Sequence, residues 1–342
     1  MQENDFIVNM NLEHAILAGD VGGTKTLLGL FVAGRIRPEP LVVREFATAD
    51  FPDLTTMVSA FAAEGAVTGT VVRVAAFGVA GPVLGDEATL TNVPFRIDAR
   101  AIGHAFDIAS VALLNDLQAM AFAVPVLQDD EVVVLQEGQE DALANRALIA
   151  AGTGLGEALL HNVDGRFIPS PTESGHADWA ARTDREIEVL QALTRRFGRV
   201  EVEDILCGQG LVNLYGIVHQ TPCAFVDPGD PQAPAKISTT ALSGHCARCS
   251  EALDLFVSAY GAEAGNLALR SLATGGVFVG GGIAPKILPA LTDGRFLRAF
   301  REKGRFTALL ERVPLYVILK PDAGLLGAAT SVHQPAVHTA HT

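Results

Sequence analysis

Leu17-Ala-Gly-Asp20-Val-Gly22-Gly23-Thr24-Lys25-Thr26 places a carboxylate, two adjacent glycines and two hydroxyls at what reads as the tip of a β-hairpin. The flanks, Ala15 to Ala18 and Leu27 to Val32, are short and apolar like two buried strands, so the glycines form the turn. Glycine lets backbone N–H groups approach a ligand and converge on its oxygens, which suits a phosphate. Through Gly19 and Lys25-Thr26 the stretch nearly fits a P-loop, G-x-x-x-x-G-K-T. Thr24 stands where the second glycine belongs, and a strand follows rather than a helix, so the P-loop is rejected. Taken alone, the motif fits a plain Gly-Gly hairpin with a capping aspartate equally well.

Working outward, further strands are predicted over 41–46, 70–79 and 111–114. A helix is predicted over Asp53 to Glu64, where Leu54, Met57, Val58, Phe61 and Ala62 recur at helical spacing. The same strand, glycine turn, strand arrangement returns at Ala147 to Gly152 and Glu157 to His161. Thr183-Asp-Arg-Glu186 has the capping-box pattern and opens a helix that ends at Gly198. Pro222, Pro228, Pro231 and Pro234 mark 221–236 as a surface loop. A helix from Glu251 to Leu272 precedes Gly275-Gly-Val-Phe-Val-Gly280-Gly281-Gly282, a strand running into a triple glycine. Residues 1–14 read as a loose leader and 331–342 as a disordered tail.

The 342 residues, 49% hydrophobic with a mean hydropathy of +0.30, suffice for two domains and a substantial core. No apolar run approaches the roughly 20 residues that span a bilayer, and Met1-Gln-Glu-Asn-Asp lacks a basic leader, so a cytoplasmic protein without membrane contact is expected. A net charge of -14 and a pI near 5.0 argue against a nucleic-acid partner. An acidic chain that binds an anionic nucleotide needs local compensation from backbone N–H groups, a lysine or a divalent cation. Of Cys207, Cys223, Cys246 and Cys249, only His245-Cys246-Ala-Arg-Cys249 has metal-like spacing, and a structural zinc needs further ligands. Ser243 and the run Glu251 to Phe256 instead place Cys246 and Cys249 in the first turns of a helix, as structural residues isolated from other soft ligands.

Three glycine clusters at strand ends suggest a nucleotide held at several points. The first, Asp20 to Thr26, suits terminal phosphates, and Gly152-Thr153-Gly154-Leu-Gly156 suits phosphates from the opposite domain. Gly280 to Gly282 opens onto Ile283-Ala-Pro-Lys-Ile, where an adenosine could lie against bare backbone. None satisfies G-x-G-x-x-G, which disfavours a dinucleotide-binding Rossmann domain. Further motifs are Leu-Leu-Asn-Asp at 113–116, Ala-Gly-Thr-Gly-Leu-Gly at 151–156, Glu-Ser-Gly-His at 173–176 and Gly-Gln-Gly-Leu-Val-Asn-Leu-Tyr at 208–215. Gly-Gly-Val-Phe-Val-Gly-Gly-Gly-Ile at 275–283, Lys-Gly-Arg-Phe at 303–306 and Gly-Leu-Leu-Gly at 324–327 follow in order.

With Gly-Asp-Val-Gly-Gly-Thr at 19–24, these motifs make the chain resemble the bacterial glucokinase family over roughly residues 14–330. That family lies in the actin and hexokinase superfamily of ATP-dependent two-domain proteins. The resemblance implies a two-domain α/β fold of the actin/hexokinase-like (ribonuclease H-like) type with a cleft between lobes. The small lobe would comprise 1–126 plus 317–342, and the large lobe 127–316. It implies phosphoryl transfer from ATP to the 6-hydroxyl of D-glucose, with Mg²⁺ on the β- and γ-phosphates, and by family analogy a homodimer.

By the same resemblance Asp116 is the catalytic carboxylate. The chemistry agrees, because an acceptor hydroxyl needs a carboxylate to orient it and take its proton, and a strand end holds such a group rigidly. Asn92, Asn115, Asp116, Glu173, His176 and Glu203 match the family's sugar-side residues, and carboxylates, amides and an imidazole suit a ring of hydroxyls. Gly19, Asp20, Val21, Gly22, Gly23, Thr24, Lys25, Gly152, Thr153, Gly154, Gly281 and Gly282 would line the nucleotide, with Asp20 on the metal.

The sequence also departs from the family. Lys25-Thr26 stands where many members carry Asn-Ala, and Ser174 replaces the usual glycine, adding a hydroxyl near the sugar. The three clustered zinc ligands of the related repressor and kinase branch are missing, and the 14 residues before the first strand are too few for a winged helix. A DNA-binding repressor is therefore not expected. A kinase for another hexose or amino sugar, and a catalytically silent sugar or nucleotide sensor, remain as rivals; the intact Asp116 argues against the sensor.

Overall fold

The computed structural model describes residues 15–333 except 65–66, 68–69, 91–92, 140 and 220. The leader, most of the expected tail, and Asn92 lie outside the described residues. The chain divides into two compact units, Met1–Val126 with Pro321–Thr342, and Leu127–Lys320.

In the first unit, β1 (Ala15–Val21) and β2 (Lys25–Val32) form the hairpin that the opening stretch implied, and β3 (Glu39–Ala47) extends it. Helix α1 (Leu54–Ala62) is capped by Asp53, which accepts a hydrogen bond from Thr56 N–H at 2.7 Å. Strand β4 (Val72–Val79) lies parallel to β1. A small antiparallel sheet of β5 (Val83–Leu84), β6 (Glu87–Thr89) and β7 (Arg96–Asp98) leads into α2 (Ala99–Phe106). Then β8 (Ser110–Asn115) runs directly into α3 (Asp116–Ala123). The main sheet has the order β3-β2-β1-β4-β8.

The two-residue period of β1 sorts its side chains. Ala15, Leu17 and Val21 join the core under α1 and α2 with Leu54, Met57, Phe61 and Ile102. Ile16 and Ala18 face the other way, towards α3 and the returning helix Ala323–Ser331, packing with Ala119, Leu325 and Ala328. Asp20, two residues beyond Ala18, belongs to this second face. The returning helix and α3 come so close at Gly327 that a Cβ there would overlap the Ala119 carbonyl oxygen.

The second unit repeats the plan of the first sheet. Its sheet consists of β9 (Val132–Gln136), β10 (Arg146–Ala151), β11 (Leu155–Val163), β12 (Arg166–Thr172), β13 (Val277–Gly280) and β14 (Leu315–Ile318), in the order β12-β11-β10-β13-β14-β9. As in the first unit, an antiparallel meander is followed by two strands parallel to its first member. Helices α4 (Asp184–Phe197), α5 (Gly208–Val218), α6 (Ala233–Leu242) and α7 (Ala247–Ser271) share one core with the sheet, including Ile149, Val279, Leu193, Leu214, Ile237, Phe256 and Tyr260.

Four expectations are corrected. The crossing back to the first unit falls at Pro321 rather than 317, because β14 is hydrogen-bonded to β13 and β9 and belongs to the second sheet. Thr183 caps α4, but the Glu186 carboxylate turns to Arg182, accepting from its N–H at 2.6 Å and from its guanidinium at 2.7 Å, so the capping box is not closed. The proline-rich loop ends early, since Pro234 lies in the first turn of α6, where a missing N–H costs nothing. Finally, Cys246 and Cys249 are not isolated from soft ligands: the end of α5 brings His219 and Cys223 onto them. Lys303, part of a family motif, is structural; it donates to the Ala262 carbonyl at 2.8 Å and Asn266 Oδ1 at 2.6 Å, and burial lowers it to about 8.

Candidate active site

The hairpin loop of the first unit is pinned from below. Gly22 N–H donates to the Lys25 carbonyl at 3.1 Å, and Thr48 Oγ1 donates to the Gly22 carbonyl at 2.7 Å. The buried Thr26 hydroxyl lies 2.9 Å from that of Thr48. This fixes a short run of backbone at the end of β1, next to Asp20. Lys25 Nζ is paired with Glu45 at 3.0 Å in this structure; the pair is exposed and so contributes little.

Asp20 and Asp116 come together across β4. Asn115 ends β8 and caps α3, its Oδ1 accepting from Leu117 N–H at 3.0 Å, while Asp116 opens the helix and accepts from the same N–H at 2.8 Å. Asp20 lies opposite Gly78 of β4, and Gly78 in turn lies opposite Leu114 of β8. Burial, then the Asp116 charge, raise the Asp20 carboxyl from 3.8 to about 6; Lys25 opposes the shift and Asp322 adds to it. A partly buried carboxylate beside other acids is a hard-oxygen donor set that a divalent cation would relieve, so the residues fit Mg²⁺.

In the second unit a different group converges. Glu203 N–H donates to the Gly175 carbonyl at 2.9 Å and Val202 N–H to the Ala177 carbonyl at 3.0 Å, which lays 202–203 along 175–177. Glu203 Oε2 then accepts from Leu155 N–H at 2.7 Å, in the glycine turn after β10. A Cβ on Gly154 would come within 2.6 Å of that carboxylate, so the glycine makes room for it. His176 Nδ1 lies 2.7 Å from Glu201 Oε2, and its Nε2 lies 4.0 Å from Glu173. The hydrogen bond to Glu201 is the main reason the imidazole is raised above its ordinary value. Arg199 ties the group together, donating to Asp178, Glu201 and the His176 carbonyl, each at 2.6 Å. Ser174 Oγ accepts from the Thr172 hydroxyl at 2.8 Å.

The second and third glycine clusters meet as well. Ile283 N–H donates to the Ala151 carbonyl at 3.2 Å, which brings Gly281 and Gly282 beside Gly152. Gly208 N–H donates to the Gly152 carbonyl at 2.9 Å.

Thus Asp20, Asn115 and Asp116 gather in one unit with the hairpin loop, whereas Glu173, His176, Glu203 and the other two glycine clusters gather in the second. Sequence reading missed Glu201 and Arg199, which hold His176 in place, and Asp322, which adds its charge to Asp20. The signal for Asp322 was the Gly-Leu-Leu-Gly motif that opens two residues later at Gly324, where the structure shows that a Cβ would come within 2.8 Å of the Asp20 carboxylate.

Two α/β units, each built on a meander with parallel strands added, and phosphate-suited glycine turns at strand ends, define the sugar-kinase class of fold. The glucokinase family profile matches residues 17–335. The chain is 36% identical over 339 residues to a glucokinase of Trichormus variabilis, covering 92% of this chain and 97% of the relative. It is 38% identical over 323 residues to one of Marinobacter nauticus, covering 94% and 98%. A crystal structure of glucokinase from an Antarctic psychrotroph superposes with a TM-score of 0.83 at 29% identity, covering 93% of this chain and 98% of that one. The chain belongs to the glucokinase family.

Proposed function

We propose that this protein transfers the γ-phosphoryl group of ATP to the 6-hydroxyl of D-glucose. The observation that carries the reading is the pair of carboxylates, Asp20 and Asp116, brought together at the ends of β1 and β8 beside a pinned glycine hairpin. Asp116 orients the 6-hydroxyl and takes its proton; because the transition state is loose, an ordinary carboxylate suffices. The backbone of 22–24 and of the glycine turns at 152–154 and 281–282 holds the nucleotide. Mg²⁺, when bound, neutralises charge on the β- and γ-phosphates, and Asp20 would hold it. Asn115, Glu173, His176 and Glu203 hold the sugar hydroxyls. None of the helices among the described residues is long and apolar enough to cross a membrane.

A coupled assay crossing a panel of hexoses and amino sugars with ATP, ADP and polyphosphate tests the proposal. Glucose with ATP should give the highest kcat/KM. A hexose or amino sugar preferred over glucose by tenfold would transfer the reading to that substrate, and no turnover with any pair would leave a sensor.

Replacing Glu203 by Gln keeps an oxygen for Leu155 N–H but removes the charge from bonds made in both ground and transition states. Glucose KM should rise with little change in kcat, a loss of roughly 1.5–3 kcal/mol. A fall in kcat at constant KM would refute the binding role.

The raised Asp20 carboxyl gives a pH test with a definite sign. The folded state holds this proton more tightly than the unfolded chain, so the group's contribution to stability is present at pH values below 3.8 and is lost as pH rises through about 6. A bound cation offsets that loss only where Asp20 is ionised. Mg²⁺ with nucleotide should therefore raise the melting temperature more at pH 8 than at pH 5, and equal shifts at both would show that Asp20 does not hold the ion.

A further inference from the structure

Four soft ligands of the second unit lie in two pairs between its two glycine turns in sequence, His219-x-x-x-Cys223 and Cys246-x-x-Cys249. His219 caps the C-terminus of α5, and Cys246 caps the N-terminus of α7 with Cys249 in the first turn. Their donor atoms all lie within 4.8 Å of one another. Cys223 Sγ is 3.8 Å from Cys249 Sγ, and His219 Nε2 is 3.7 Å from Cys246 Sγ and 3.9 Å from Cys249 Sγ. A tetrahedron with Zn–S bonds of about 2.3 Å and a Zn–N bond of about 2.0 Å has edges of roughly 3.5–3.8 Å. The observed separations match those edges and far exceed a disulfide bond of about 2.05 Å.

We propose that His219, Cys223, Cys246 and Cys249 hold a structural zinc ion in tetrahedral coordination. Three thiolates and one imidazole are the soft donor set that selects zinc over magnesium or calcium, and four protein ligands leave no position open for catalysis. The surroundings orient the ligands. The ring of Tyr215 lies against His219, with centroids 4.1 Å apart, and its hydroxyl both donates to Cys223 Sγ at 3.3 Å and accepts from Cys223 N–H at 2.9 Å. The imidazole also makes a hydrogen bond to the backbone of Thr221, which fixes its ring while Nε2 faces the thiols. At the N-terminus of α7 the helix dipole favours thiolate charge on Cys246 and Cys249. The ion would tie the end of α5 to the start of α7 and close the intervening segment of 224–245, α6 included. Since Gly208 at the other end of α5 donates to the Gly152 carbonyl, it would also brace the glycine turn.

The test uses the full chain, purified without a histidine tag and without added metal. Elemental analysis should find about one zinc per chain. Modification of the thiols with a mercurial reagent should release that zinc to a colorimetric indicator in step with the loss of three cysteines. Cobalt substitution should give the visible absorption bands of a tetrahedral thiolate site. Cys223→Ser and Cys246→Ser should each lower the zinc content about tenfold, whereas Cys207→Ser, outside the cluster, should leave it unchanged. Should either variant fail to fold, the zinc content and cobalt spectrum of the wild-type protein decide alone. Reduced wild-type protein that is free of zinc and takes up none from added Zn²⁺, or a Cys223–Cys249 disulfide found by mass spectrometry, overturns the proposal.

Discussion

Asp116→Asn should lower kcat by about 10² to 10⁴ while glucose binds nearly as well as before. The substituted amide keeps an oxygen for Leu117 N–H, which Asp116 holds at 2.8 Å, and Asn115 continues to cap α3. The helix therefore stays in place, and what disappears is the proposed proton acceptor for the reacting hydroxyl. Steady-state kinetics paired with calorimetric titration of glucose separate the two effects. Near wild-type turnover with only KM altered would make Asp116 a sugar-binding residue and return the catalytic role to an open question. The variant should also lift part of the electrostatic burden from Asp20, whose carboxyl is raised by Asp116 second only to burial.

Gly327→Ala should cost about 3 kcal/mol, or roughly 10 °C in Tm. A methyl group there overlaps the Ala119 carbonyl oxygen and comes within 2.9 Å of Ala123 N, and no rotamer change relieves a clash with backbone. The returning helix would have to withdraw from α3, opening the face formed by Ile16, Ala18 and Ala76. Gly216→Ala provides the contrast. That glycine lies exposed in α5 with nothing within 4 Å of a new Cβ, so alanine should stabilise by about 0.5–1 kcal/mol through its helix propensity. Equal melting temperatures for the two variants would show that the close approach is not maintained in solution.

The hairpins were legible in the sequence because they are local: a buried strand, a glycine turn and a second strand lie within a few residues, and period-two burial assigns Asp20 its face. The partners that complete the site were not, because they arrive from distant segments. Glu201 and Arg199 reach His176 through pairing of 175–178 with 200–203, and Asp322 reaches Asp20 only after a whole unit has intervened. The metal-like cysteines were misread for the same reason. His219 belonged to no predicted element and Cys223 read as part of a proline-rich loop, and nothing in their spacing announced that α7 begins beside them. The domain crossing at Pro321 was displaced by a few residues because an apolar strand such as Leu315–Ile318 suits either sheet, and only its pairing assigns it.

The helix Ala323–Ser331 closes a sheet whose strands occupy residues 15–115, with the whole of the second unit encoded in between. A ribosome therefore delivers the strands of the first unit early and their cover last. The second unit can fold while the first still shows Ile16, Ala18 and Ala76 to the cell, inverting the usual order in which the leading domain folds first. In that interval this face lacks its last cover, and Gly324 has not yet closed on Asp20. Chains stalled before residue 323 would thus hold a finished second unit and a first unit whose sheet still lacks its last covering helix.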